Sequence, residues 1–356
     1  MVVFPLSNMK IFASNSSYEL TFNENLSYVD KYINQSSAII IDRKVYNLYR
    51  KYFYKYQKKL IYIDVSEKNK TVQTAMDICG DFLKKRIKRH ECVLAIGGGI
   101  IQDVVTFSTS IYLRGINWLY IPTTLLAQAD SCIGGKSSIN FLGFKNILGN
   151  FYPPSKILIN TNFLKTLPKD QIRSGIGEII KVHLLSGSSS VEGLKLLLKR
   201  YMKDEKVLKQ LIKQAIIKKN KILKIDAEDK NVRLKMNYGH SFGHALESAA
   251  NYSLPHGIAI TIGLDMANFF SFKKKLISKK LFLDLKEIIN FNLKKKDYVE
   301  FNKKTFFQSL KKDKKNKKNK YGLILPVTKG VVKLFYCSIN LSNNNIINEY
   351  FKKFYY

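Results

Sequence analysis

Three of the five histidines in this 356-residue chain fall in one stretch, residues 233–257, RLKMNYGHSFGHALESAANYSLPHG. His240, His244 and Glu247 stand at i, i+4 and i+7, so a helix places all three on one face. His256 follows Leu254-Pro255, and the proline breaks the helix and brings a third imidazole in from a turn. Imidazoles on a shared helix face, with one more from a nearby turn, suit a divalent cation such as zinc. A His-x-x-x-His pair also occurs on solvated helices that bind nothing. Spacing alone therefore leaves both readings open.

Two other groups of residues could do chemistry. Gly97-Gly98-Gly99 ends an apolar run, ECVLAI, and precedes a helical pattern. Glycines there let backbone N–H groups approach a phosphate, and a helix N-terminus adds positive potential. The pattern is GGGxxxD rather than GxGxxG, and three glycines also suit a plain tight turn. Asp103, at the start of that helix, complements its dipole in the simplest reading. Next come Thr123-Thr124, then Asp130 to Lys136 (DSCIGGK), then Lys145-Asn146. Hydroxyls, flexible glycines and lysines so close together suit a phosphate or carboxylate better than a core. Glu178, in GEIIK, is a further candidate carboxylate ligand for the same cation.

The elements that must hold these groups alternate. Strands are expected at 38–41, 60–65, 91–96, 117–121 and 156–160, with helical patterns at 44–58, 71–90 and 102–113 between them. Alternation of this kind predicts a parallel sheet covered by helices on both faces, with ligands at the ends of its strands. From Phe163 the pattern turns helical, at 170–185, 191–225, 233–251 and 257–290, so a boundary is placed near 160–165. The run 311–320, KKDKKNKKNK, reads as a solvated loop before a hairpin of YGLILPV and VVKLFY.

Composition narrows the function classes. A hydrophobic content of 46% supports a real core, and no apolar run reaches the ~18 residues of a membrane span. The N-terminal residues lack the features of a secretory signal. The four cysteines are scattered, which fits a reducing cytoplasm and excludes a Cys-rich zinc site. The net charge of +33 raises nucleic-acid binding, but only 8 of the 60 basic residues are Arg, the residue that grips phosphates and bases bidentately. The abundance of Lys, Asn, Ile, Tyr and Phe reads as compositional drift, and no specific nucleic-acid partner is expected.

Taken in order, SEKNK, GGGIIQDVVTF, YLRG, PTTLLAQADSCIGGK, KNILGNF, FLKTLP, GEIIK, RLKMNYGHSFGHALE and LPHG resemble the 3-dehydroquinate synthase family of sugar-phosphate cyclases over most of the chain. The resemblance implies an α/β fold: an N-terminal NAD-binding Rossmann-like domain with a parallel sheet (1–162), then an all-α metal- and substrate-binding domain (163–356), with the active site in the cleft between them. It implies NAD and a divalent metal, zinc or cobalt. The metal ligands it implies are Glu178, His240 and His256, with His244 as an acid/base rather than the ligand that spacing suggested. Positions matching NAD contacts are Asp42, Glu67, Lys70, Gly97, Gly98, Gly99, Asp103, Thr123, Thr124, Asp130, Lys136, Lys145, Phe163 and Thr166. Substrate and catalytic positions are Arg114, Lys136, Asn146, Lys181, Lys219, Asp229, Arg233 and Asn237, completed by one of Lys314 and Lys315.

The activity so implied is conversion of 3-deoxy-D-arabino-heptulosonate 7-phosphate to 3-dehydroquinate and phosphate. It runs by transient oxidation, phosphate elimination, re-reduction and aldol closure, in a cytoplasmic homodimer with no membrane attachment. The chain departs from the family pattern in places. Arg43-Lys44 follows Asp42 without the usual polar pair, Gln102 replaces a Gly, Cys132 a Ser and Asp229 a Glu. Ile258 stands where a Glu is usual, so a carboxylate beside the metal is expected to be missing. Rival readings are another sugar-phosphate cyclase, a metal-dependent polyol dehydrogenase of the same fold, and a lysine-rich RNA-binding protein.

Overall fold

Short runs of Ile, Val and Leu that are buried on both faces need parallel neighbours and helices above and below. In the structure, a computed structural model that describes residues 8–13, 17–142, 144–228 and 232–355, such runs are β3 (Ala38–Asp42), β4 (Leu60–Ile63), β5 (Cys92–Gly97), β6 (Asn117–Pro122) and β9 (Lys156–Ile159). Two strands that the apolar pattern did not reveal, β1 (Asn8–Phe12) and β2 (Ser17–Phe22), complete a seven-stranded sheet of order β1-β2-β9-β6-β5-β3-β4. Only the β1–β2 pair is antiparallel.

Alternate residues of the strands serve opposite faces. Ile39, Ile41, Leu94, Ile96, Ile121 and Leu158 pack with Val29 and Ile33 of helix α1 (Leu26–Gln35) and Val45 of α2 (Arg43–Leu48). Their neighbours Ile40, Val93, Ala95 and Tyr120 are buried as well. A short α3 (Arg50–Phe53) and a 3₁₀ turn replace most of the helix expected over 44–58. Helix α4 (Val72–Lys84) starts at the Thr71 hydroxyl, which accepts from Thr74 N at 3.2 Å, and stops before Arg86, whose φ is +56°. Helix α5 (Gly99–Ile111) begins inside the triple glycine. A hairpin of β7 (Ile139–Phe141) and β8 (Phe144–Leu148) leads towards β9.

The chain divides into two compact units: Met1–Pro168 with Asn220–Glu228, and Lys169–Lys219 with Asp229–Tyr356. The division falls after Pro168 rather than at 162/163. Asn220–Glu228 joins the first unit through Asn220, whose Oδ1 accepts from Phe12 N (3.1 Å) and whose Nδ2 donates to Lys10 O (2.9 Å).

The second unit contains α6 (Lys169–Leu184), α7 (Ser188–Leu198), the first part of α8 (Glu205–Ile225), α9 (His240–Ala249), α10 (His256–Lys273), α11 (Lys279–Asn290), α12 (Lys303–Lys311) and α13 (Leu341–Phe354). The expected helix 191–225 is two helices, because residues 199–204 turn and Asp204 takes the Lys206 N–H at 2.9 Å. The expected helix 257–290 is also two, interrupted where Lys275 has φ +57° and Ser278 caps α11. An all-α description needs amending: β10 (Lys320–Thr328) and β11 (Val331–Ser338) form an antiparallel hairpin within this unit. Among the described residues no helix is long and apolar enough to cross a membrane.

Candidate active site: a carboxylate–imidazole centre and a glycine-loop network

Helices α6, α9 and α10 cross so closely that side chains cannot fit between their backbones. A Cβ on Gly257 would lie 1.7 Å from Ser174 O, and one on Gly263 would lie 2.1 Å from Gly239 O. Only glycine permits these approaches. They bring Glu178 of α6, His240 of α9 and His256 of α10 to one point.

There, Glu178 Oε1 lies 3.7 Å from His240 Nε2 and 3.4 Å from His256 Nε2. His240 Nδ1 is 3.3 Å from Tyr238 O, and His256 Nδ1 is 3.3 Å from both carboxylate oxygens of Glu247. With Nδ1 occupied in each ring, both Nε2 atoms face the same carboxylate. One ring nitrogen from each of His240, His244 and His256 lies within 4.8 Å of those of the other two. His244 is the exposed member.

The electrostatics of this centre suit a cation. Glu178 is 1% exposed; Lys181 forms an ion pair with its Oε2, and its Oε1 faces the two imidazole Nε2 atoms. Burial opposes its charge, but Lys181 and His256 overcome that and hold the carboxyl well below the usual range. Burial likewise opposes a proton on His256, yet Glu247 and Glu178 raise its pKa to about 10. His240 is pushed well down by burial and by Lys181. A buried carboxylate whose Oε1 faces two imidazole Nε2 atoms is the donor set a divalent ion takes. Ile258 is buried and supplies no carboxylate. Glu247, from the neighbouring helix, occupies the outer side of His256 instead.

The first unit carries a separate network. The single proton of the Tyr120 hydroxyl is shared between Gly97 O and Gly98 O, both at 3.1 Å, and the Gly98 position faces Thr124, whose Cγ2 would lie 2.9 Å from a Cβ there. Thr123 N donates to Gly97 O at 3.0 Å, and the Thr124 hydroxyl accepts from Ala127 N at 3.2 Å. Lys70 Nζ reaches Asp103 Oδ2 at 3.2 Å and Asn146 Oδ1 at 2.6 Å. Lys145 Nζ lies 3.3 Å from Glu67 Oε1. Asn140 joins the two halves, donating to Glu67 Oε1 (2.9 Å) and accepting from Asn146 N (3.1 Å). Burial raises the Asp103 pKa to about 6 against the pull of Lys70. Gln102 takes the place of the usual glycine by exchanging hydrogen bonds with Ser131, at 2.7 and 2.8 Å.

Other expected residues are more dispersed. Asp42 caps α2 by accepting from Lys44 N (2.9 Å). The Phe163 side chain belongs to the hydrophobic core against Tyr49, so only its backbone can meet a ligand. Thr166 Oγ1 lies 3.1 Å from Tyr49 OH. Asp130 is half-buried in the turn 127–131. Lys136 Nζ stands 5.7 Å from the centre of the Phe151 ring. Arg114 is exposed with φ +64°. Lys219 and Arg233 are buried, and Asn237 Nδ2 donates to Leu234 O at 3.1 Å. Asp229 lies outside the described residues. Sequence reasoning missed Asn140, Tyr120 and the outer role of Glu247. Only Glu247 carried a signal, its i+7 spacing from His240.

Two family profiles match the chain: "3-dehydroquinate synthase N-terminal" over residues 60–174 and "3-dehydroquinate synthase C-terminal" over residues 175–316. The 3-dehydroquinate synthase of Pelagibacter ubique (strain HTCC1062) is 34% identical over 338 residues, covering 90% of this chain and 92% of that protein. Among solved structures, 2-deoxy-scyllo-inosose synthase complexed with carbaglucose-6-phosphate, NAD+ and Co2+ superposes with a TM-score of 0.82 at 23% identity, over 96% of this chain and 99% of that one. The 2-epi-5-epi-valiolone synthase of Streptomyces hygroscopicus subsp. jinggangensis 5008, with NAD+ and Zn2+ bound, superposes with a TM-score of 0.78 at 24% identity, over 96% and 98%. The two structures establish a shared fold. The match of both halves to one family, together with a relative so similar over nearly its whole length, establishes that this chain belongs to the 3-dehydroquinate synthase family.

Proposed function

We propose that this chain converts 3-deoxy-D-arabino-heptulosonate 7-phosphate to 3-dehydroquinate and phosphate. The observation that carries the reading is the convergence of Glu178, His240 and His256 in a chain of this family. On this reading Glu178, His240 and His256 hold a divalent ion, zinc or cobalt, and the Gly97–Gly99 loop with Lys70 and Asp103 holds NAD. When bound, NAD accepts and returns a hydride, and the metal acidifies a substrate hydroxyl.

The chain's own groups do the rest. Glu247 orients His256, and Lys181 neutralises Glu178, whose carboxylate is otherwise buried. His244, exposed beside the two ligating imidazoles, moves a proton to or from the substrate. Lys136, Lys219, Arg233 and Arg114 supply positive charge for phosphate and carboxylate. Nothing is consumed overall but the substrate, so phosphate and 3-dehydroquinate form in equal amounts. The family resemblance also supports a homodimer acting in the cytoplasm, which sedimentation and cell fractionation test.

The decisive assay measures phosphate release from the heptulosonate phosphate, with and without NAD and with and without a chelator. Release that needs both NAD and metal is expected. A polyol dehydrogenase would instead accumulate NADH, and another cyclase would prefer a different sugar phosphate.

A further inference from the structure

The lysine-rich run 311–320 is not uniform. Six of its seven lysines are exposed, and Lys315 is the exception. Lys315 Nζ meets both oxygens of Asp313 at 2.7 Å, and the Lys315 backbone N–H donates to Asp313 Oδ1 at 2.9 Å. The two side chains are 13% and 10% exposed. Ser241, three residues before His244 on α9, donates to Gly322 O at 3.4 Å, which sets the turn beside that helix, and both members of the pair act electrostatically on His244. The turn is pinned on either side. Asn316 donates to Leu310 O (2.8 Å) and accepts from Gly322 N (2.9 Å), and a Cβ on Gly322 would fall 2.3 Å from Lys315 O.

A secluded ion pair of this kind adds little stability compared with an apolar pair of the same shape, so its place beside His244 calls for another explanation. A surface lysine carries several rotamers that must be ordered before it can grip an anion. Here that ordering is done in advance. Two of the three ammonium donors point at Asp313, leaving the third in a fixed direction.

The geometry points to Asp313 as a positioning residue, which presents the Lys315 ammonium beside His244 to an anionic group of the substrate, while Lys314 takes no part. This rests on the function proposed above.

Steady-state phosphate release by the NAD- and zinc-loaded enzyme, together with calorimetric binding of inorganic phosphate, tests it. Asp313→Asn raises KM about tenfold and leaves kcat nearly unchanged, the loss of one charge-assisted contact. Asp313→Glu restores KM. Lys315→Met raises KM at least as much, and adding Asp313→Asn to it has no further effect. Phosphate affinity follows the same order. A merely structural role would instead lower melting temperature and kcat together, and the two substitutions would add. Unchanged KM and phosphate affinity in both Asp313→Asn and Lys315→Met overturn the proposal, as does an effect of Lys314→Met equal to that of Lys315→Met. If the wild-type enzyme leaves the heptulosonate phosphate untouched while its phosphate affinity still depends on Asp313 and Lys315, the proposed reaction fails and this inference stands.

Discussion

Glu247 reaches His256 Nδ1 with both carboxylate oxygens at 3.3 Å, while the opposite ring nitrogen of the same histidine faces Glu178 at 3.4 Å. One imidazole is thus held between a carboxylate on its Nδ1 side and a carboxylate on its Nε2 side. Glu247→Gln keeps the shape and removes the charge, so divalent-metal affinity should fall about 10- to 100-fold. Competition with a chromophoric chelator checks this, and an unchanged affinity would leave Glu247 with only a packing role.

His240 and His244 occupy one helix face but should behave differently. His240→Ala should leave a purified protein with almost no bound zinc. His244→Ala should keep its zinc and turn over roughly 10²- to 10⁴-fold more slowly. Elemental analysis beside the phosphate-release assay separates the two. Zinc loss from the His244 variant would place that residue among the ligands.

Gly257 fits only because it has no side chain. Gly257→Ala would drive a Cβ to 1.7 Å from Ser174 O, so α6 and α10 must move apart. Destabilisation of about 3 kcal/mol is expected, together with weaker metal binding, because Glu178 and His256 ride on those two helices. Thermal unfolding with and without zinc measures both effects.

His183 gives the metal-free protein a sensitivity to acid. It is 1% exposed, and burial together with Lys218 lowers its pKa to about 3 from 6.5. Above pH 6.5 the ring is neutral in both the folded and unfolded chain and contributes nothing. Below pH 6.5 the unfolded chain takes up a proton that the folded one refuses, so stability falls as pH falls. The loss grows to about 4 to 5 kcal/mol near pH 3. His183→Gln should flatten this slope relative to wild type in denaturant titrations between pH 7 and 4, and equal slopes would contradict it.

Much of this architecture was legible before any coordinates. The apolar runs at β3, β5, β6 and β9 are buried on both faces, so their composition alone marks them as central strands. β1 and β2 were not visible, because polar residues such as Lys10 and Glu19 interrupt their apolar pattern. The histidine trio was conspicuous because its members are close in the chain. The Lys70 network was not, since Lys70, Asp103, Asn140 and Asn146 come from separate segments, and their hydrogen bonds exist only once β7 and β8 have folded back. The i+7 spacing puts Glu247 on the same helix face as His240. Helix periodicity cannot show that His256 docks against that carboxylate from α10.

Tyr120 gives the glycine loop a property beyond its shape. Its hydroxyl shares one proton between the carbonyls of Gly97 and Gly98 from the buried side, so turning either peptide unit gives up a contact. A flexible triple glycine would have to be ordered when an anion arrives; this one is already tethered by Tyr120 and by Thr123 N. Association there should therefore need little rearrangement, and its speed should be set by diffusion and by the field of a cationic chain rather than by loop motion.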